Sequence, residues 1–224
     1  MLIAEELLLL LLDDESGSVS AHRDVGRAYV RPVLGGALLA ELALGGNIQI
    51  GEAGLLRSGK VTLTNAPYPA DPLLVDAAAT IAEAPRSAGE LVNRLGKDAF
   101  EMLARRLVDR GILERREDKV LWFFPRTRWP ALDSSYEREL RLRLAASFDD
   151  GAVVEPRIGT LIALLHAIGK AHHLAPMEPG EASRRAKRIA EGNWAAKAVR
   201  DTIDALISAL IADVALMAAN TANH

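Results

Sequence analysis

Residues 38–50 read LLAELALGGNIQI, and residues 103–114 read LARRLVDRGILE. Set one on the other, Gly46 falls on Gly111, Leu38 on Leu103, Leu42 on Leu107 and Ile48 on Leu113. Each copy is an amphipathic helix stopped at glycine, the residue that closes a helix in the left-handed conformation without steric cost, and then a short apolar strand. A second candidate strand follows each copy, at Lys60–Leu63 and at Val120–Phe124. A helix feeding a two-stranded hairpin is a winged-helix-like unit, and such units present a surface to a partner. The expected fold class is therefore mainly α: a single compact helical-bundle domain over residues 1–224, with two small β-hairpins in winged-helix-like units.

Composition agrees. Half of the 224 residues are apolar but only 4% are aromatic, so the core must be built from Leu, Ala, Val and Ile, which favours packed helices. The formal net charge of −3 makes the whole chain no trap for polyanions and leaves only local basic patches for that role. The absence of cysteine excludes disulfides, thiolate catalysis and Cys-based zinc sites, and fits a reducing, cytoplasmic setting. The bias to Ala, Leu and Arg fits a GC-rich bacterial genome. Leu7–Leu12 is a run of six leucines, too short to span a bilayer and flanked by acids where a signal peptide carries bases; it reads as a buried helix. Ala205–Ala219 reads as a central core helix.

Punctuation marks the remaining elements. Asp71-Pro72 reads as N-cap and first helical residue of a helix over Leu73–Glu83, stopped by Pro85. Ser87 with Glu90 forms a capping box, and Asp98 is the expected cap of a helix over Ala99–Arg110. In the second unit the strands are expected at Ile112–Arg115 and Val120–Phe124, turning at Glu117-Asp118-Lys119. Pro32 disfavours helix at Arg31, so Gly35-Gly36 is expected to open the first repeated helix and to offer free amides to a phosphate. Further helices are expected from Ser134 or Ser135 to Phe148, over Arg157–Ile168, over the basic Glu181–Glu191, and over Trp194–Ala219.

No nucleophile elbow, phosphate-binding loop, dinucleotide fingerprint or HExxH occurs, so the chain is expected to be no enzyme and to need no cofactor. His172-His173 are adjacent and diverge, so no metal site is expected. Glu5-Glu6 and Asp13-Asp14 suit capping or solvated roles. Three basic groups stand out: Arg23, Arg27 and Arg31, spaced by four; Lys97, Arg105, Arg106 and Arg110; and Arg184, Arg185, Lys187 and Arg188. Trp122, Phe123, Phe124 and Trp129 are the only aromatic concentration, and a hairpin tip carrying Trp122 and Phe123 would suit a membrane interface.

The order of these pieces resembles the Golgi phosphoprotein 3 family, which has eukaryotic and bacterial members. The resemblance rests on Ala4–Gly17, Gly36–Ile50, Asn65–Leu74, Leu103–Leu113, Phe124–Pro130, Leu161–Gly169 and Arg184–Ile203. It implies a helical domain without enzymatic activity. Eukaryotic relatives bind phosphatidylinositol 4-phosphate on Golgi membranes, recruit glycosyltransferase tails, and self-associate. The resemblance places their headgroup contacts at Gly26, Gly35, Lys97 and Phe100, where only Lys97 keeps a charge. The expected function is a cytoplasmic adaptor, peripheral on the inner face of the membrane, that binds anionic and phosphoinositide-like lipid headgroups. Lys97, Arg23, Arg27, Arg31 and Gly35 are its expected headgroup contacts, and Trp122 and Phe123 its membrane contacts. An anionic phospholipid, a protein client and a second copy of the chain are the expected partners. The alternative is a winged-helix nucleic-acid binder with Arg105, Arg106 and Arg110 on phosphates; no nucleic acid is expected as the main partner, because the chain is net acidic.

Overall fold

The computed structural model describes residues 1–19, 29–51, 59–120, 124–192, 195 and 197–222. In chain order its elements are α1 (Ile3–Leu11), α2 (Val30–Leu44), β1 (Ile48–Ile50), β2 (Lys60–Leu63), α3 (Pro72–Glu83), β3 (Arg86–Ser87), α4 (Ala88–Gly96) and α5 (Ala99–Asp109). There follow β4 (Arg116–Val120), β5 (Phe124–Arg128), α6 (Ser135–Ala146), α7 (Pro156–Ala167), a 3-10 turn at Ala171–His173, α8 (Pro179–Ala190) and α9 (Lys197–Ala222). The fold is mainly helical, with two small antiparallel sheets, as the composition and the repeated unit require.

Helix α2 is the centre. It is apolar nearly all round, and such a helix must be surrounded. Twelve of its fifteen residues are buried, and α1, α3, α4, α5, α7 and α9 all pack on it. It begins at Val30, earlier than the glycine pair. Pro32 falls in its first turn, where a missing N–H costs nothing because no intrahelical partner exists for it. Gly35 and Gly36 are therefore buried helix-interior residues, and their amides are not free for a phosphate.

Gly35 is required for a different reason. A Cβ there would lie 2.0 Å from the Val92 carbonyl oxygen of α4, and a Cβ on Gly96 would lie 2.0 Å from the Arg31 carbonyl oxygen of α2. The two helices cross backbone to backbone at this pair of glycines. Gly36 faces elsewhere, and its Cβ would meet Leu164 Cδ2 at 3.7 Å, an ordinary contact.

The repeated device is real at the level of hydrogen bonds. Gly46 (φ 69°) ends the first copy, with Asn47 N–H donating to Leu42 O at 2.8 Å and Gly46 N–H to Ala43 O at 2.9 Å. Gly111 (φ 71°) ends the second, with Ile112 N–H donating to Leu107 O at 2.9 Å and Gly111 N–H to Val108 O at 2.8 Å. Both are Schellman closures. The first hairpin pairs β1 with β2 at the expected strands, with Gln49 opposite Thr62, and β3 adds a third strand.

The second hairpin departs from expectation. Ile112–Arg115 contributes only the bridge between Leu113 and Ala131, and the strands are β4 and β5, with Arg116 opposite Arg128 and Asp118 opposite Arg126. Expecting apolar residues in the strands and acids in the turn put the hairpin out of phase. This ribbon is polar, and ion pairs such as Arg115–Glu117 (2.8 Å) and Arg116–Glu114 (2.8 Å) lie along it. At its base, Leu113 and Trp129 are buried and anchor it to the core.

The acids of α1 are neither solvated nor merely caps. Glu5 is 0% exposed and Glu6 2%. Glu5 accepts from the Leu2 N–H (2.7 Å), Arg106 Nε (2.8 Å) and Arg110 Nη1 (3.0 Å). Arg106 also forks onto both oxygens of Asp71, at 3.0 and 2.6 Å, while Asp71 caps α3 through Leu73 N–H. Glu6 accepts from Arg157 Nε (3.0 Å) and the Tyr136 hydroxyl, and Arg157 continues to Glu41 (2.8 Å). Burial alone would raise the Asp71 carboxyl, but the Arg106 fork and the Leu73 amide outweigh it and hold it below the usual range.

The other caps divide. Ser87 and Glu90 form the expected capping box, whereas Asp98 makes no side-chain capping bond to α5. Helix α9 buries Ile203, Leu206 and Leu210 but exposes Ile211 and Leu216, so it packs along one side of the core and α2 takes the central place expected for it.

Two substitutions test this framework by urea denaturation. Gly35→Ala should lose about 1–3 kcal/mol through overpacking, while Gly36→Ala should stay within about 1 kcal/mol of the native protein, because the helix gains from alanine and nothing blocks the methyl. Arg106→Met should cost about 3 kcal/mol, since it leaves the buried Glu5 carboxylate with one arginine instead of two and Asp71 with none; a loss below about 1 kcal/mol would show that the network contributes little.

Candidate functional site

The first turns of α2 and α5 meet because α2 and α4 cross so closely. Gly96 lies against the backbone of Arg31, and Lys97 follows it directly. Arg31 and Lys97 thus line one cleft of about 340 Å³, together with Val30, Asp98, Phe100 and Glu101 from the same two helix starts. The base of the second hairpin contributes Thr127 and Trp129. The remaining wall is the N-terminal turn, through Gly17 and Val19.

That turn follows α1 directly. Asp13 N–H donates to Ser18 O at 2.8 Å, and Gly17 (φ 58°) lies so close to the hairpin base that a Cβ would sit 2.2 Å from Pro130 N. Trp129 N–H donates to Gly17 O at 3.1 Å, and Ala131 N–H to Asp14 O at 3.0 Å. Trp129, 3% exposed, is the buried floor, with the Arg115 guanidinium carbon 6.0 Å from its ring centre.

Arg31 and Lys97 are exposed, and neither is ion-paired to a described residue. The amides of Ala99, Phe100 and Glu101 are in the first turn of α5, where the helix has no acceptors for them, and the helix dipole there favours an anion. Two uncommitted cations and an uncapped helix start can hold a phosphate-sized anion.

Of the sequence-derived headgroup contacts, Arg31 and Lys97 come together. Gly35 is buried in the crossing and does not line the cleft; no arginine could replace it without separating α2 from α4. Arg31 lies one helical turn before it. Arg23, Arg27, Trp122 and Phe123 lie outside the described residues. Sequence reading missed Asp98 and Glu101 as cleft residues and grouped Trp129 with the hairpin aromatics without placing it in the cleft. The signal for the first two was present, since they share a helical turn with Lys97.

Most of the other basic residues are already engaged, Arg184 and Arg188 of α8 being exposed without an ion pair among the described residues. Arg105 pairs with Glu101 (3.1 Å), and Arg106 and Arg110 turn inward to Glu5. A larger depression, about 430 Å³, lies between Ser147–Val154 and α8; its Arg185 is held by Phe148 O, Asp150 and Glu181, which leaves Arg188 as its one lining arginine without an ion pair among the described residues. Lys187 pairs with Glu191 at 3.8 Å. His172 and His173 stack at 3.8 Å between ring centres, and no group of metal-ligating side chains occurs among the described residues.

A helical domain around one buried helix, with two hairpin units and a charged cleft between their helix starts, defines the class. The chain belongs to the Golgi phosphoprotein 3 family (GPP34), whose model matches residues 3–206. No curated protein matches the chain.

The wall formed by the N-terminal turn carries a titratable contact. Burial pushes the Glu137 carboxyl up to about 7, against the pull of Arg141, and the neighbouring Asp14 adds to the rise. A carboxyl whose folded value lies above its ordinary 4.5 stabilises the fold fully below that value and loses this contribution as pH rises through about 7. Thermal unfolding between pH 4.5 and 8 should show this decline in the native protein, and Glu137→Gln should remove most of the slope; an unchanged slope would dissociate Glu137 from it.

Proposed function

We propose that this protein is a non-enzymatic peripheral adaptor that docks on membranes through the Arg31–Lys97 cleft by binding the phosphate of a lipid headgroup. The observation that carries the reading is the convergence of these two cations, unpaired among the described residues, at the uncapped start of α5. Family membership supports a lipid-binding or adaptor role in general terms. Among the described residues no helix is long and apolar enough to cross a membrane, which is consistent with attachment through a surface site. A cytoplasmic location on the inner membrane face, a protein client, and self-association belong to the same proposal. So does a phosphoinositide of the phosphatidylinositol 4-phosphate type as one ligand to be tested.

The nucleic-acid reading loses support from the neutralised charges of α5. Two of the three arginines that it needs, Arg106 and Arg110, are bound to buried Glu5, and Leu103, Ala104 and Leu107 of the same helix are core.

Liposome co-sedimentation at low and high salt tests the proposal. Vesicles of phosphatidylglycerol, cardiolipin, or phosphatidylcholine doped with phosphatidylinositol 4-phosphate should retain the protein at low salt. Each of Arg31→Ala and Lys97→Ala should weaken retention roughly fivefold, as loss of about 1 kcal/mol per membrane-facing cation implies. Both residues are exposed, so the variants should fold normally. Absence of binding to every phospholipid vesicle at low salt would overturn the membrane reading.

A further inference from the structure

We propose that the cleft holds a second subsite, for an ammonium group, formed by the carboxylates of Asp98 and Glu101, so that its ligand is a headgroup carrying both a phosphate and a primary amine, as in phosphoethanolamine. This rests on the reading that Arg31 and Lys97 bind a headgroup phosphate.

The cleft is mixed in charge. Two cations and two carboxylates line the same space of about 340 Å³. A site built for a polyanion has no use for acids on its wall, because each would repel the second phosphate at a few ångströms. Asp98 is the clearer of the two. It occupies the N-cap of α5, where an aspartate ordinarily accepts a backbone amide, yet its carboxylate makes no capping bond. It is exposed, and no described residue pairs with it. Glu101 lies one turn along, bound to Arg105 by a surface i,i+4 pair at 3.1 Å, a weak and exchangeable contact. An ammonium between them would restore the charge balance that the phosphate satisfies at Arg31 and Lys97.

The type of amine follows from the aromatic groups. A quaternary ammonium is held by open aromatic faces. Trp129 is buried and already has Arg115 near its ring, and Phe100 is half-buried. Carboxylates instead reward N–H donors, so the ethanolamine headgroup fits better than choline. The volume lies at the low end of small-molecule sites, which suits a headgroup without its acyl chains.

The test is co-sedimentation of the full chain at physiological salt with three vesicles: phosphatidylcholine alone, and phosphatidylcholine mixed with equal parts of either phosphatidylethanolamine or phosphatidylglycerol. Calorimetric titration with soluble phosphoethanolamine runs beside it. The native protein should prefer the ethanolamine vesicle several-fold over both others. The isosteric double variant Asp98→Asn/Glu101→Gln, its fold checked by circular dichroism, should lose that preference and gain affinity for phosphatidylglycerol. Lys97→Ala should weaken binding to both. Preference for phosphatidylglycerol by the native protein, or an ethanolamine preference unchanged in the double variant, would overturn the ammonium subsite and leave phosphate binding standing. Binding of soluble phosphoethanolamine without any vesicle binding would support the subsite and overturn the membrane reading. No binding in any arm would overturn both.

Discussion

The backbone contact between α2 and α4 is the constraint on which the rest of the structure depends. Most helix pairs keep their axes apart by the thickness of their side chains. Here Gly35 and Gly96 remove that spacer at two points, and each accepts the other helix's backbone. The consequence is positional. The start of α2 is drawn onto the end of α4, and the start of α5 follows within three residues. Two helix starts that are far apart in sequence thereby share one cleft. Because the buried apolar face of α2 is contacted on all sides, neither helix can retreat without opening the core.

A second set of forces decides which charges remain for a partner. Glu5 and Glu6 are fully enclosed, and enclosed carboxylates must be matched by cations and hydrogen bonds. They engage Arg106, Arg110 and Arg157, and through these Asp71 and Glu41. The network ties α1 to α3, α5, α2 and α7 in one connected system. It also commits Arg106, and the still exposed Arg110 just past α5, to a buried carboxylate. What is left at the mouth of the cleft is sparse: one arginine, one lysine, and two acids.

Much of the architecture was legible in the sequence because local chemistry and tertiary structure agree. The glycine closures at Gly46 and Gly111, the Asp71-Pro72 start and the Ser87–Glu90 box each act within a few residues. Elsewhere the deciding partner lies far along the chain. Glu5 and Glu6 look like solvated acids until residues 106, 110 and 157 are brought to them. Gly35-Gly36 looks the same whether it starts a helix or lets another helix approach; only Val92 distinguishes the two. The ribbon of β4 and β5 defeats alternation because its sequences, REDKV and FPRTR, carry no regular apolar–polar pattern. For the site, Arg31 and Lys97 were readable as basic residues beside helix starts; the spacing also put Asp98 and Glu101 on the turn of Lys97, but an aspartate before a helix reads first as a cap.

The reach of Arg157 has a consequence for how the chain is made. This side chain hydrogen-bonds the Met1 carbonyl, Glu6 and Glu41, so the partner that completes the first helix lies 151 residues beyond Glu6. Six consecutive leucines, Leu7–Leu12, sit in that helix or at its end. During synthesis at about 5–20 residues per second, they wait about 8–30 s for Arg157 to be added. Over that interval α1 has α2 and α5 to pack against, but Glu6 lacks the arginine that matches its charge. Contacts of such sequence separation also slow folding once the chain is complete. The charge balance of α1 is therefore among the last features of the fold to be completed, although its apolar packing is available much earlier.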